Sequence, residues 1–207
     1  MPHHRFSSVL LVVGLLLLTA GILSWQAGWD LPLHHLLRLT GTAWTPTVIW
    51  LSALGGFGVM GPVGLLAILL LALRRRFGDA LWLFATVASG RLVVEGLKLL
   101  ITRPRPPLID RLELVQSWSF PSSHSAGTLM TCLALAIVIG GRPAIVLAFL
   151  TALLIGWTRV ALAVHWPGDV LAGWGVGLMW LGIALRIHTP PRVRLAAAVP
   201  SPSGSQP

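Results

Sequence analysis

The sequence predicts an all-α protein: a bundle of six transmembrane helices, with a short interfacial helix between the first and second spans. Three observations carry this. Of the 207 residues, 55% are hydrophobic and 10% charged, whereas a soluble domain has about 25% charged residues. Six apolar stretches approach the roughly 20 residues needed to cross a bilayer. The arginines gather in the breaks between those stretches instead of being spread along the chain.

The same balance narrows the partners. A net charge of +9 on a soluble protein points to nucleic acid. Here the basic residues lie between apolar runs, so the charge is assigned to membrane topology and no nucleic-acid partner is expected. Ten Trp and no Tyr suit interfacial anchoring. Cys132 is the single cysteine, so no internal disulfide forms.

In chain order, the first span is expected over Ser8–Trp25. Its start, Met-Pro-His-His-Arg, resembles a signal peptide, but the apolar run is longer than a signal core and no small-x-small site follows, so it is read as retained. Residues 26–46 mix Trp29, Leu31, Leu33, Leu36 and Leu37 with His34, His35 and Arg38, the pattern of a helix lying in the interface. The second span is expected at Thr47–Leu73, with Gly55, Gly56, Gly58, Gly61 and Gly64 allowing close helix packing. The remaining spans are expected at Ala80–Ile101, Ser123–Ile139, Ala144–Val164 and Pro167–Ile187. Residues 1–188 form one membrane domain, and the Pro-, Ser- and Ala-rich residues 189–207 a disordered cytoplasmic tail.

A cytoplasmic N-terminus places Arg5, Arg74, Arg75, Arg76, Arg142, Arg186, Arg192 and Arg194 inside, as the positive-inside rule requires. The cations left outside need another explanation. They stand at the outer ends of three spans, where ionisable groups are costly and default to function. Lys98, the only lysine, precedes Arg103-Pro104-Arg105-Pro106. The fourth span opens with Phe120-Pro121-Ser122-Ser123-His124. The fifth-to-sixth junction reads Thr158-Arg159, five residues, His165, three residues, Asp169.

All three stretches meet one membrane face, so their side chains can share a pocket. Lys98, Arg105 and Arg159 supply the point charge and bidentate forks of phosphate recognition. Pro121 and Pro167 mark helix starts, whose free N–H groups also favour an anion. Asp110 and Glu113 are the only other outer carboxylates in this reckoning, and neither pairs with a histidine at a helical interval. Metal-dependent hydrolysis is therefore disfavoured, and no metal or other cofactor is expected. A histidine with a carboxylate four residues on is an oriented nucleophile or base. The second histidine suits a general acid.

Together the three stretches resemble the signature of the type-2 phosphatidic acid phosphatase superfamily: Lys, six residues, Arg-Pro; Pro-Ser-Gly-His; and Ser-Arg, five residues, His, three residues, Asp. Order and internal spacing agree across roughly Ala80–Ile187. The resemblance implies a metal-free phosphohistidine mechanism. His165 would attack phosphorus, Asp169 would hold its tautomer, and His124 would protonate the departing lipid oxygen and then activate water. Lys98, Arg105, Arg159, Ser122 and the Ser123 N–H would hold the phosphoryl oxygens. Ser123 stands where the family has glycine, and Thr158 where it has serine.

The resemblance also implies hydrolysis of a lipid phosphate or diphosphate in a bacterial inner membrane, and the arginine placement puts the site on the extracytoplasmic face. Undecaprenyl diphosphate is the first choice, with phosphatidylglycerol phosphate and phosphatidate next. A phosphotransferase discharging onto a sugar or lipid A acceptor is one alternative, and a catalytically dead lipid-binding or transport protein another. Outside the motifs, Arg103 and Arg111 are expected to contact headgroups. His34, His35 and His188 are expected at the interface. Arg91 and Glu95 are expected to form an i, i+4 ion pair, three residues before Lys98.

Overall fold

The computed structural model describes residues 2–41 and 43–187. His188 and the expected tail at 189–207 lie outside the described residues. The regular elements are helices throughout: α1 (Pro2–Gln26), α2 (Asp30–Leu37), α3 (Thr45–Leu54), α4 (Phe57–Leu73), α5 (Phe77–Ile101), α6 (Ser123–Ile139), α7 (Arg142–Ala161) and α8 (Pro167–Ile187), with one 3-10 turn at Leu108–Asp110. Among the described residues, five segments are long and apolar enough to cross a membrane: 4–26, 45–73, 77–101, 142–161 and 167–187. The sixth expected span, α6, is apolar but has 17 residues.

The shortness of α6 has a structural reason. It is packed on by α4, α5, α7 and α8, and Leu129, Met130, Leu133 and Ala134 are buried in the core. A helix enclosed by protein need not match the lipid thickness. At 1.5 Å per residue it rises about 25 Å, short of the roughly 30 Å hydrocarbon core. Apolar side chains face outward instead, among them Val9, Val12, Leu16, Leu65, Leu66, Leu69, Leu92 and Leu147, as a lipid-facing surface requires.

The second span is not one continuous helix. Its backbone turns at Gly55 and Gly56, whose N–H groups donate to Ser52 and Ala53 carbonyls at 3.0 Å each. A Cβ at Gly55 would lie 2.2 Å from Ile155, and one at Gly56 would lie 3.3 Å from His124 Nε2. The break thus makes room for α7 and for the histidine that opens α6. Close packing was expected along the whole glycine series of this span. Gly58, however, meets nothing within 4 Å, and Gly61 only Phe57 of its own helix. The tightest long pairing is instead α1 against α8, where a Cβ on Gly21 would fall 2.4 Å from the Gly168 carbonyl.

The short helix α2 is present where an interfacial helix was expected, with an unexpected polarity. Leu31, Leu33 and Leu36 are exposed, while Asp30 and His34, one turn apart, are buried. Its polar side faces the protein and its apolar side faces outward. His35 is exposed, but His34 is not interfacial: its ring lies 5.1 Å from that of Trp166.

Candidate active site

The expected residues converge at the end of the bundle where α5 and α7 finish and α6 and α8 begin. A cavity of about 320 Å³ there is lined by Arg91, Glu95, Lys98, Arg105, Glu113, Ser117, Ser123, His124, Arg159 and His165, with Phe57, Leu114 and Val115. Four cations against two carboxylates leave the lining with excess positive charge before any histidine is counted, which suits a multiply charged anion.

The loop between α5 and α6 folds back over this end and is tied down by the cations themselves. Lys98 Nζ donates to the Trp118 carbonyl at 2.7 Å. Arg105 Nε donates to Ser117 O at 2.6 Å, and its Nη2 to Ser117 Oγ at 3.0 Å and Trp118 O at 3.2 Å. Arg111 also serves the loop, donating from Nε to Pro106 O at 2.7 Å. It braces the loop.

His165 is oriented by this arrangement. Arg105 Nη1 lies 3.0 Å from His165 Nε2. A guanidinium has donors and no acceptor, so Nε2 is the unprotonated nitrogen and Nδ1 carries the hydrogen. Nδ1 lies 3.4 Å from Asp169 Oδ2. Burial, then the nearby Arg105, Lys98 and Arg159 charges, hold the imidazole pKa well below its usual value, so the ring is neutral with its Nε2 lone pair turned to Arg105 at the cavity wall. Burial, followed by the neighbouring Arg159 charge, brings Arg105 down to about 10; it remains cationic at neutral pH.

Asp169 is fully buried and heavily engaged. Oδ2 accepts from the Trp166 N–H at 2.9 Å and from Ser119 Oγ, and Oδ1 accepts from Arg103 Nη1 at 2.6 Å. Arg103 is therefore no headgroup contact. It is 4% exposed, donates its other nitrogen to Asp30 Oδ2 at 2.6 Å, and packs 4.6 Å above the Trp25 ring. Ser119 and Asp30 were not anticipated, and Asp30 adds a carboxylate at this end of the bundle that was not counted from sequence. Ser119 lies in the loop before α6 and Asp30 far along the chain from the motifs, so helical spacing carried no signal for them.

Arg159 is 1% exposed. Its Nη1 bonds Ser52 Oγ and Glu113 Oε2, the latter at 2.8 Å, while its Nε is buried without a hydrogen-bond partner. An orphaned buried donor on the wall of a cationic cavity fits an anion. The two serines divide differently from expectation. Ser123 lines the cavity and donates to Glu95 Oε1 at 2.7 Å. The Ser122 hydroxyl instead caps α6, accepting from the Ser125 N–H at 3.3 Å and the Ser125 hydroxyl at 2.9 Å. The expected Arg91–Glu95 pair is replaced by tertiary partners: Arg91 lies 4.7 Å over the Phe57 ring, and Glu95 takes the Ser123 bond.

An apolar helical bundle with a cation-lined histidine cavity at one end defines an integral membrane enzyme that handles a phosphorylated substrate. The model of the PAP2 superfamily matches residues 79–192, more than half of the chain. The chain belongs to the PAP2 superfamily and is a membrane lipid phosphatase, a phosphoric ester hydrolase of the metal-independent kind. Among solved structures it is similar to a transmembrane PAP2-type phosphatidylglycerolphosphate phosphatase from Bacillus subtilis, at 24% identity and TM-score 0.74, covering 87% of this chain and 94% of that one. It is also similar to Aquifex aeolicus LpxE, at 22% identity and TM-score 0.62, covering 76% and 94%. Comparison with curated proteins gave no match.

Proposed function

We propose that the protein hydrolyses a lipid phosphate or diphosphate, undecaprenyl diphosphate first and phosphatidylglycerol phosphate or phosphatidate next, through a phosphohistidine on His165. The observation that carries this is the His165 ring, with Nε2 free of hydrogen at 3.0 Å from Arg105 and Nδ1 turned to Asp169. His165 Nε2 bonds to phosphorus as the bond from phosphorus to the leaving oxygen breaks. His124 gives that oxygen its proton; the anionic substrate supplies the charge that lets His124 hold the proton until then. His124 next takes a proton from water, the hydroxide attacks phosphorus, and the N–P bond breaks to release inorganic phosphate and restore both imidazoles. Lys98, Arg105, Arg159 and Ser123 are the residues assigned to the phosphoryl oxygens. Ser122 acts behind them, as the cap that sets the start of α6.

Phosphate release by purified protein in excess EDTA, across a panel of lipid phosphates and diphosphates, tests this. The largest kcat/KM is expected for undecaprenyl diphosphate. Activity abolished by EDTA and restored by one divalent metal would sink the mechanism. Label recovered in an acceptor lipid in place of free phosphate would make the enzyme a phosphotransferase.

We further propose six spans in a bacterial inner membrane with the cavity on the extracytoplasmic face. Arg74, Arg75 and Arg76 lie at the end of the bundle away from the cavity, where Arg76 Nη2 donates to the Val138 carbonyl at 3.0 Å near the end of α6, and the positive-inside rule places that end in the cytoplasm. With Cys132 replaced, a cysteine at Asp110 is expected to react with an impermeant reagent on intact cells, and one at Arg75 is not. The opposite pattern inverts the topology.

A further inference from the structure

The search for further function leads to the charged cluster behind the nucleophile. Asp30 stands in α2, outside residues 79–192 matched by the family model, yet it is joined to the site through one arginine. Its Oδ1 accepts from Ser24 Oγ at 2.8 Å and from the Gly168 N–H at 2.7 Å. Its Oδ2 takes one Arg103 nitrogen at 2.6 Å, and the other Arg103 nitrogen takes Asp169 at 2.6 Å. Asp30, Arg103 and Asp169 are all less than 5% exposed, and the Trp25 and Trp166 rings lie 4.6 and 5.6 Å from the guanidinium.

We propose that Asp30 is a positioning residue for phosphoryl transfer: by sharing Arg103 with Asp169, it keeps the cluster behind His165 one negative charge in excess. The proposal rests on His165 being the nucleophile. Arg103 paired with Asp169 alone would neutralise the carboxylate that faces the imidazole. With Asp30 on its other side, one guanidinium serves two carboxylates. A buried excess charge is costly in the resting enzyme. It is offset when His165 Nε2 bonds phosphorus while Nδ1 keeps its hydrogen, because the ring then becomes cationic. An interaction stronger in the transition state than in the ground state raises kcat and leaves KM nearly alone. The bond to Gly168, in the first turn of α8, fixes the same carboxylate relative to Asp169 one residue later.

The test is rapid-quench measurement of phosphohistidine on the full-length protein in detergent, with radiolabelled undecaprenyl diphosphate as probe. Asp30→Asn is expected to slow phosphohistidine formation and lower kcat by at least about tenfold, equal to about 1.4 kcal/mol of barrier, with KM within about threefold of wild type. Asp30→Glu, which keeps the charge, is expected to restore the rate to within about tenfold of wild type and above the Asn variant. A smaller loss in Asp30→Asn, a loss carried by KM, or equal impairment of the Asn and Glu variants overturns the proposal. Should Asp30→Asn fail to fold, Arg103→Lys and Asp30→Glu decide. Both preserve the cluster charge, so either falling more than about tenfold below wild type overturns it. Wild-type protein that turns over the probe without a labelled histidine fails the nucleophile assignment and the proposal with it. Labelled wild type with an unaffected Asp30→Asn fails the proposal alone.

Discussion

His165→Ala is expected to leave no covalent phosphoenzyme and to lower turnover by about 10⁴-fold or more, the scale seen when a nucleophile is removed from a covalent mechanism. The loss is total for the covalent route because no other imidazole stands in the same frame. His165 is held from both sides, by Arg105 at Nε2 and by Asp169 at Nδ1, and a water left in the vacated space has neither that nucleophilicity nor that alignment. Asp169→Asn is expected to change in the same direction but less, since the ring remains and its tautomer is what suffers. The 3.4 Å separation from Nδ1, with Ser119 and the Trp166 N–H sharing Oδ2, is consistent with an orienting role. Trapping acid-labile phosphohistidine after a rapid quench reads both variants. Label accumulating undiminished in His165→Ala overturns the assignment while leaving the phosphatase class intact.

The second large effect is expected to depend on the substrate. His124→Ala removes the proposed acid, so its cost should follow the leaving group. A lipid alkoxide from phosphatidate is a poor leaving group and needs the proton. A lipid monophosphate departing from a diphosphate, or the phenolate from nitrophenyl phosphate, needs it less. General acid catalysis contributes about 10²–10⁴-fold, and that is the spread expected between poor and good leaving groups. His124 stands in the first turn of α6, with Gly56 close to its Nε2, so the break in the second span sets the room around it. Comparing kcat/KM for phosphatidate and nitrophenyl phosphate in wild type and variant measures the spread. A uniform loss on both substrates would remove the acid role and leave His124 as a binding residue.

Much of this architecture was legible because its signals are local. A span is a run of neighbours, so helices at 77–101, 123–139 and 167–187 follow from composition read along the chain. The motif residues were legible because each sits within a turn or two of a helix end, where spacing fixes direction. A histidine followed four residues on by a carboxylate, with Pro167 and Gly168 between, placed Asp169 beside His165, and they do meet. The rule that residues four apart share a helix face gave Arg91 and Glu95 as an ion pair, and the direct contact is not made. Phe57 of α4 and Ser123 of α6 offer those side chains other partners, and a sequence interval contains no information about competitors from another helix.

By itself, then, the sequence determined a lipid-dissolved helical bundle, the end of the bundle at which charge collects, and the residue types that line the cavity there. Those follow from hydropathy, from arginine placement and from short spacings, all properties of neighbouring residues. Only the tertiary structure decided how that site is supported. It turned Ser122 into a cap, bent the second span at Gly55 and Gly56 over His124, buried His34, and placed Asp30 against an arginine 73 residues away. Charges taken out of water must be matched by whichever opposite charges the packing brings within about 3 Å, and which ones arrive is set by how the helices cross.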